Sequence, residues 1–267
     1  MKNKTFRVLS IDFDYFQNAS KEALMKYPDG FDLQPSLSQQ VWKGKYDFKP
    51  SADLIKTVTC KTNEMYFIEN IFMYSCKQDI PVLACFSHEY IYGFIQEQFS
   101  TSGAEKLEIV NVDFHADYYN DNVKNDIQDC GNWCYFIKQE IPGTKITWIA
   151  PENYEELYKE KDYTDIDRIT TDLSILKQHN YDVVFLCRSD NWLPPHLDNH
   201  FQQFIHFFCG YFSQGKIQQV ITEPRDYPKE PTFGNHTLYT NRALYSPSIV
   251  FESSGYIHTA RGRQKSY

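Results

Sequence analysis

Leu107-Glu-Ile-Val-Asn-Val-Asp-Phe-His-Ala-Asp-Tyr-Tyr119 is the stretch on which the reading of this chain turns. Its first half is apolar and partly β-branched at Leu107, Ile109, Val110 and Val112, the composition of a strand. Its second half delivers Asp113, His115 and Asp117 in quick succession. A strand that breaks into a loop fans such residues around one point in space. Carboxylate oxygens suit a hard divalent cation, and imidazole suits manganese, iron or zinc. Asp-x-His-x-Asp at a strand end therefore reads as a metal site, with a solvated acidic loop as the plain alternative.

Working outward, residues 5–13 form a second apolar run that ends in Ile11-Asp12-Phe13-Asp14. Asp12 and Asp14 lie two apart, so an extended chain would point both to one side. Two carboxylates on one side repel unless a cation or a proton sits between them. Residues 64–77 carry Met65, Ile68, Ile71 and Phe72 at helical spacing, and the short apolar run 81–86 is a buried strand that leads into His88. Further strands are expected at 145–150, at 181–187 before Arg188-Ser189-Asp190, and at 216–222 before Glu223. Helices are expected at 89–99, at 132–140 and over Phe201, Phe204, Ile205 and Phe208. Residues 17–60, with Pro28, Pro35 and Pro50, read as a polar, irregular insertion able to shape a substrate site. The Glu- and Lys-rich run 151–162 reads as a solvated helix face, and the Pro- and Tyr-rich stretch from 224 onward carries no assignable pattern. Short apolar strands alternating with helices imply a mainly parallel sheet with helices on both faces, a three-layer α/β/α fold over one domain, 1–267. In such sheets ligands bind beyond the carboxyl ends of the strands, where Asp12, Asp14, His88, Asp113, His115, Asp117, Arg188, Asp190 and Glu223 all fall.

A net charge of −8 argues against binding bulk nucleic acid and favours a cationic substrate. The 20 Tyr and 20 Phe leave room for an aromatic-lined groove. Seven cysteines without CxxC pairs read as reduced thiols in a cytoplasmic protein. The apolar run after the basic start is too short for a signal peptide, and no stretch has transmembrane length. The sequence leaves the oligomeric state open.

His88, then Asp113-Phe-His115-Ala-Asp117, then a separate Asp-x-Asp pair resembles the ligand set of the arginase, or ureohydrolase, superfamily. The resemblance implies an arginase-like fold and two Mn²⁺ ions held by Asp12, Asp14, His88, Asp113, His115 and Asp117. It implies that Glu223 holds the substrate guanidinium and that Gly131-Asn132 is part of the substrate loop. The Asp-x-Asp pair stands at the N-terminus rather than late in the chain, and late Arg188-Ser189-x-x-Trp192-x-Pro194-Pro195 accompanies it. That arrangement looks like the atypical peptide arginases, which convert arginine in ribosomally made precursor peptides to ornithine. Cys134 occupies the position of the family's proton-shuttle histidine, so Asp117 becomes the expected proton carrier. Arg188, Asp190 and Asn132 join Glu223 as expected substrate-binding residues. Competing readings are a ureohydrolase for a free guanidino compound, a metal-dependent deacetylase, a phosphatase, and a peptide-binding module with a vestigial site.

Overall fold

The computed structural model describes residues 4–28, 34–119, 127–213, 215–220 and 223–228, all within one compact unit, Met1–Thr232. The stretch 229–267, part of the single domain expected over 1–267, lies outside the described residues. So do the tip of the Pro28 turn, most of the loop after Tyr119, and positions 221–222 of the expected last strand.

β1 (Thr5–Asp12) occupies the middle of the sheet because both of its faces are apolar. Leu9 and Ile11 pack into one layer, and Phe6 and Val8 into the other. A 3-10 turn, Phe13–Phe16, follows, and β2 (Gln17–Asn18) pairs antiparallel with β3 (Thr59–Cys60). Between β2 and β3 stand α1 (Lys21–Leu24), α2 (Pro35–Asp47) and α3 (Lys49–Ile55). The insertion is thus largely helical, not irregular. Pro35 and Pro50 sit in the first turns of α2 and α3, where proline's fixed φ and missing N–H favour a helix start instead of breaking one.

Among the described residues the remaining α-helices and strands are α4 (Thr62–Ser75), β4 (Val82–Cys85), α5 (Tyr90–Ser102), β5 (Lys106–Val112), α6 (Trp133–Glu140), β6 (Lys145–Ile149), α7 (Tyr154–Leu157), β7 (Arg168–Thr170), β8 (Val183–Cys187), α8 (Asp198–Tyr211) and β9 (Ile217–Val220). Seven strands form one sheet in the order β7-β6-β5-β1-β8-β4-β9, and every neighbouring pair is parallel. α2, α4 and α8 cover one face through Trp42, Met65, Phe72, Phe201 and Phe204. α5 and α6 cover the other through Ile91, Phe94, Trp133 and Ile137, which gives the expected three layers. α5 stops at Gly103, whose φ of 64° is the left-handed conformation that glycine adopts without strain.

Two expectations change in detail. The charged run 151–162 forms only the single turn α7 and a 3-10 turn at Glu160–Asp162, and it is solvated as its charge suggests. β9 is an edge strand with half-buried or exposed residues, so Glu223 follows an edge and not a buried strand. No helix of the described residues is long and apolar enough to cross a membrane, and none of the seven cysteines is in a disulfide.

Candidate metal centre

β1, β4 and β5 converge their carboxyl ends on one buried cluster. β1 ends at Asp12, whose Oδ1 accepts from the Asp14 N–H at 3.3 Å and caps the 3-10 turn. That turn takes Asp14 out of strand alternation, so the two carboxylates do not simply point the same way. Asp12 Oδ2 meets His88 Nδ1 at 3.2 Å, while Asp14 Oδ2 meets His115 Nδ1 at 3.0 Å. β5 supplies Asp113, with Oδ2 at 3.2 Å from His88 Nδ1 and Oδ1 at 3.8 Å from His115 Nδ1. Asp117 Oδ2 lies 2.8 Å from His88 Nδ1.

Two groups of ligand atoms can each hold an ion: Asp12, His88 and Asp113, and Asp14, Asp113 and His115. Asp113 belongs to both. The donor set is oxygen-rich with one imidazole per group, which fits a divalent metal. The charges point the same way. Asp12, Asp113 and Asp117 form ion pairs only with histidines, and no lysine or arginine among the described residues pairs with them. Burial, then the neighbouring Asp14 and Asp113, push the Asp12 carboxyl up to about 7. Burial, then Asp113, hold Asp117 well above the usual carboxylate range. Burial opposes the His88 charge, but Asp117, Asp113 and Asp12 overcome it and raise that imidazole well above its ordinary value. Burial likewise works against Asp113, yet the hydrogen bond and charge of His88 keep it low. Four carboxylates crowded in a dry site thus compete for protons that a cation would replace.

Outer partners orient the ligands. Ser10 Oγ lies 2.8 Å from His88 Nε2, leaving Nδ1 to face the carboxylates, and Phe185 stacks on the same ring at 5.4 Å. Asn111 Nδ2 donates to Asp113 Oδ2 at 3.0 Å, and the Trp148 indole donates to the Asp113 carbonyl at 2.9 Å. The Trp133 indole donates to Asp117 Oδ2 at 2.6 Å. Ser10 and Asn111 were legible in principle: each is a polar residue in an apolar strand, two positions before a ligand. Trp133 carries no such signal, because only the folding of α6 against β5 brings it there. Among the described residues just two non-glycine positions have φ in the left-handed region, Asp117 (52°) and Ser189 (57°). Both stand in the loops that surround the cluster, where such strain is commonly retained for function.

The six expected ligands are therefore brought together, and the four expected substrate residues are placed differently. Arg188 is fully buried and grips Asp190 with Nε on Oδ1 at 2.5 Å and Nη2 on Oδ2 at 3.0 Å. Beside them Arg225, also buried, binds both oxygens of Asp198, at 2.9 and 2.6 Å. Asn132 closes its own loop, accepting from the Asp129 N–H at 2.8 Å and donating to the Ile127 carbonyl at 3.0 Å. Glu223 has an exposed side chain, and its carbonyl accepts from Arg188 Nη1 at 3.3 Å. Cys134 is buried, and burial followed by Asp117 raises its thiol well above the ordinary range, so it keeps its proton and stays a neutral thiol near neutral pH. Comparison with protein-family models, with curated proteins and with solved structures gave no match.

Proposed function

We propose that this protein is an arginase-like hydrolase that converts arginine side chains in a peptide to ornithine, with two Mn²⁺ ions as cofactor. The supporting observation is the sharing of Asp113 between two three-ligand groups, the pattern a pair of bridged ions requires. Asp12, His88 and Asp113, with Asp117 alongside, would hold one ion, and Asp14, Asp113 and His115 the other. Such a pair, when bound, would supply an activated water as nucleophile near neutral pH.

The chain's own groups do the rest. Ser10 and Phe185 hold His88 in the plane that presents Nδ1 inward. Asp117, fixed through Oδ2 by Trp133, carries the proton that the departing amine needs. Glu223, whose backbone carbonyl is held by Arg188, is the carboxylate that the resemblance assigns to the guanidinium. The net charge of −8 draws a basic peptide, and the helical insertion 17–60 supplies wall on the α2 side. The same reading places the protein in the cytoplasm, where precursor peptides are made.

Mass spectrometry of an arginine-containing peptide before and after incubation with the Mn²⁺-loaded protein tests the reaction. Each conversion takes up water and releases urea, so the peptide loses the mass of cyanamide per site. An unchanged mass across a panel of such peptides, with Mn²⁺ demonstrably bound, would refute it. Competition against free L-arginine tests the substrate class, and a higher kcat/KM for the free amino acid would leave a ureohydrolase of small guanidino compounds. Glu223→Gln should lower turnover by orders of magnitude with Mn²⁺ retained, and a near-wild-type rate would remove Glu223 from the site.

A further inference from the structure

The six ligands are not equally enclosed. The side chains of Asp12, Asp14, His88, Asp113 and Asp117 are at most 5% exposed, whereas that of His115 is 16% exposed. The cluster therefore opens at His115. Two half-buried rings border that opening, Trp192 at 4.8 Å and Tyr158 at 6.2 Å between ring centroids. Both are braced. Tyr158 packs edge-on against Trp148, whose indole is bonded to the Asp113 carbonyl. Trp192 sits on the strained Ser189 turn, and the Asp190 carbonyl in that turn accepts from Ser38 Oγ at 2.9 Å, from the Trp42 indole at 2.8 Å and from Arg225.

We infer that Trp192 and Tyr158 form the entrance to the centre and select a planar cation there. An aromatic face attracts a cation, and a guanidinium stacks on it because it is flat and weakly hydrated. A primary ammonium is compact and strongly hydrated, and it gains less from the same faces. The entrance thus favours arginine over ornithine, retaining the substrate and letting the product go. The identity of the reaction rests on the reading above, but the selectivity for a guanidinium is measurable without turnover.

The sequence has four tryptophans, and Trp42, Trp133 and Trp148 are fully buried, so acrylamide quenching of fluorescence reports Trp192. In the Mn²⁺-loaded protein, N-acetyl-arginine amide should protect Trp192 from acrylamide at concentrations several-fold below those needed with N-acetyl-ornithine amide. Trp192→Leu should raise KM for an arginine peptide about 2- to 30-fold with kcat and Mn²⁺ content retained. Trp192→Phe, which keeps a ring and guards against misfolding of the leucine variant, should stay near wild type. Equal protection by the two amides, or an unchanged KM in Trp192→Leu, overturns the inference. Protection by the arginine amide without any urea release would retain the entrance and overturn the reaction. Urea release with an unchanged KM in Trp192→Leu would do the reverse.

Discussion

Two buried charge clusters lie at the carboxyl ends of the same sheet, and they are built on opposite terms. Beyond β8, Arg188 and Arg225 face Asp190 and Asp198, two cations for two anions, each guanidinium matched to a carboxylate at hydrogen-bond distance. Beyond β1, β4 and β5, four carboxylates face two imidazoles. A self-neutral cluster is complete without a ligand and serves to fix loops. An unbalanced one, at the same depth, concentrates carboxylates whose repulsion a proton or a bound cation would relieve. Burial and charge are common to both clusters, and what sets the second apart is that its carboxylates outnumber the histidines they face.

Substitutions in the two clusters should therefore behave in opposite ways. Asp113→Ala removes the carboxylate common to both groups, so turnover should fall by several orders of magnitude and bound Mn²⁺ should be lost while circular dichroism stays native. Wild-type activity in this variant would end the metal-centre reading. Arg225→Ala leaves Asp198 buried without its partner and should destabilise the fold by about 3–5 kcal/mol in denaturant titration, with little effect on metal affinity. A loss of metal binding at full stability would merge the two clusters into one functional unit.

The pH dependence sharpens the contrast. Asp12 rises from 3.8 in the unfolded chain to about 7 in the metal-free fold, so the folded state holds that proton more tightly. The stability is fully present below 3.8 and is lost as pH rises through about 7. The raised His88 acts in the same direction, its contribution present below 6.5 and lost as pH rises through its folded value. Metal-free protein in EDTA should lose about 2–3 kcal/mol between pH 5 and 8, and Asp12→Asn should flatten much of that slope. Mn²⁺ affinity should climb over the same interval, because protons compete for the ligands. A metal-free stability that rises with pH would mean that the carboxylates are compensated after all. The smallest expected effect belongs to Ser10→Ala, which releases His88 Nε2 and should weaken Mn²⁺ binding about 10- to 100-fold. Unchanged affinity would show that stacking on Phe185 suffices to aim the ring.

The six candidate ligands and the parallel sheet were legible because both depend on short-range pattern. Apolar runs mark strands, and a strand that ends in Asp-x-His-x-Asp or in Asp12-Phe13-Asp14 presents its ligands within a few residues of backbone. Ser10 and Asn111 belong to the same local code, since strand alternation puts each on the side of the ligand two positions later. What tertiary structure alone decided are the pairings across elements. Asp12 meets His88 and Asp14 meets His115 only because β1 lies beside β5, with β8 between β1 and β4. Arg188 and Asp190 looked like substrate groups as long as their distance from Arg225, Asp198 and α2 was unknown. Once folded, those neighbours complete a neutral network and hold the turn that carries Trp192. Strand order and loop closure come from long-range burial of the two faces of the sheet, and a linear pattern carries no record of which strand ends will meet.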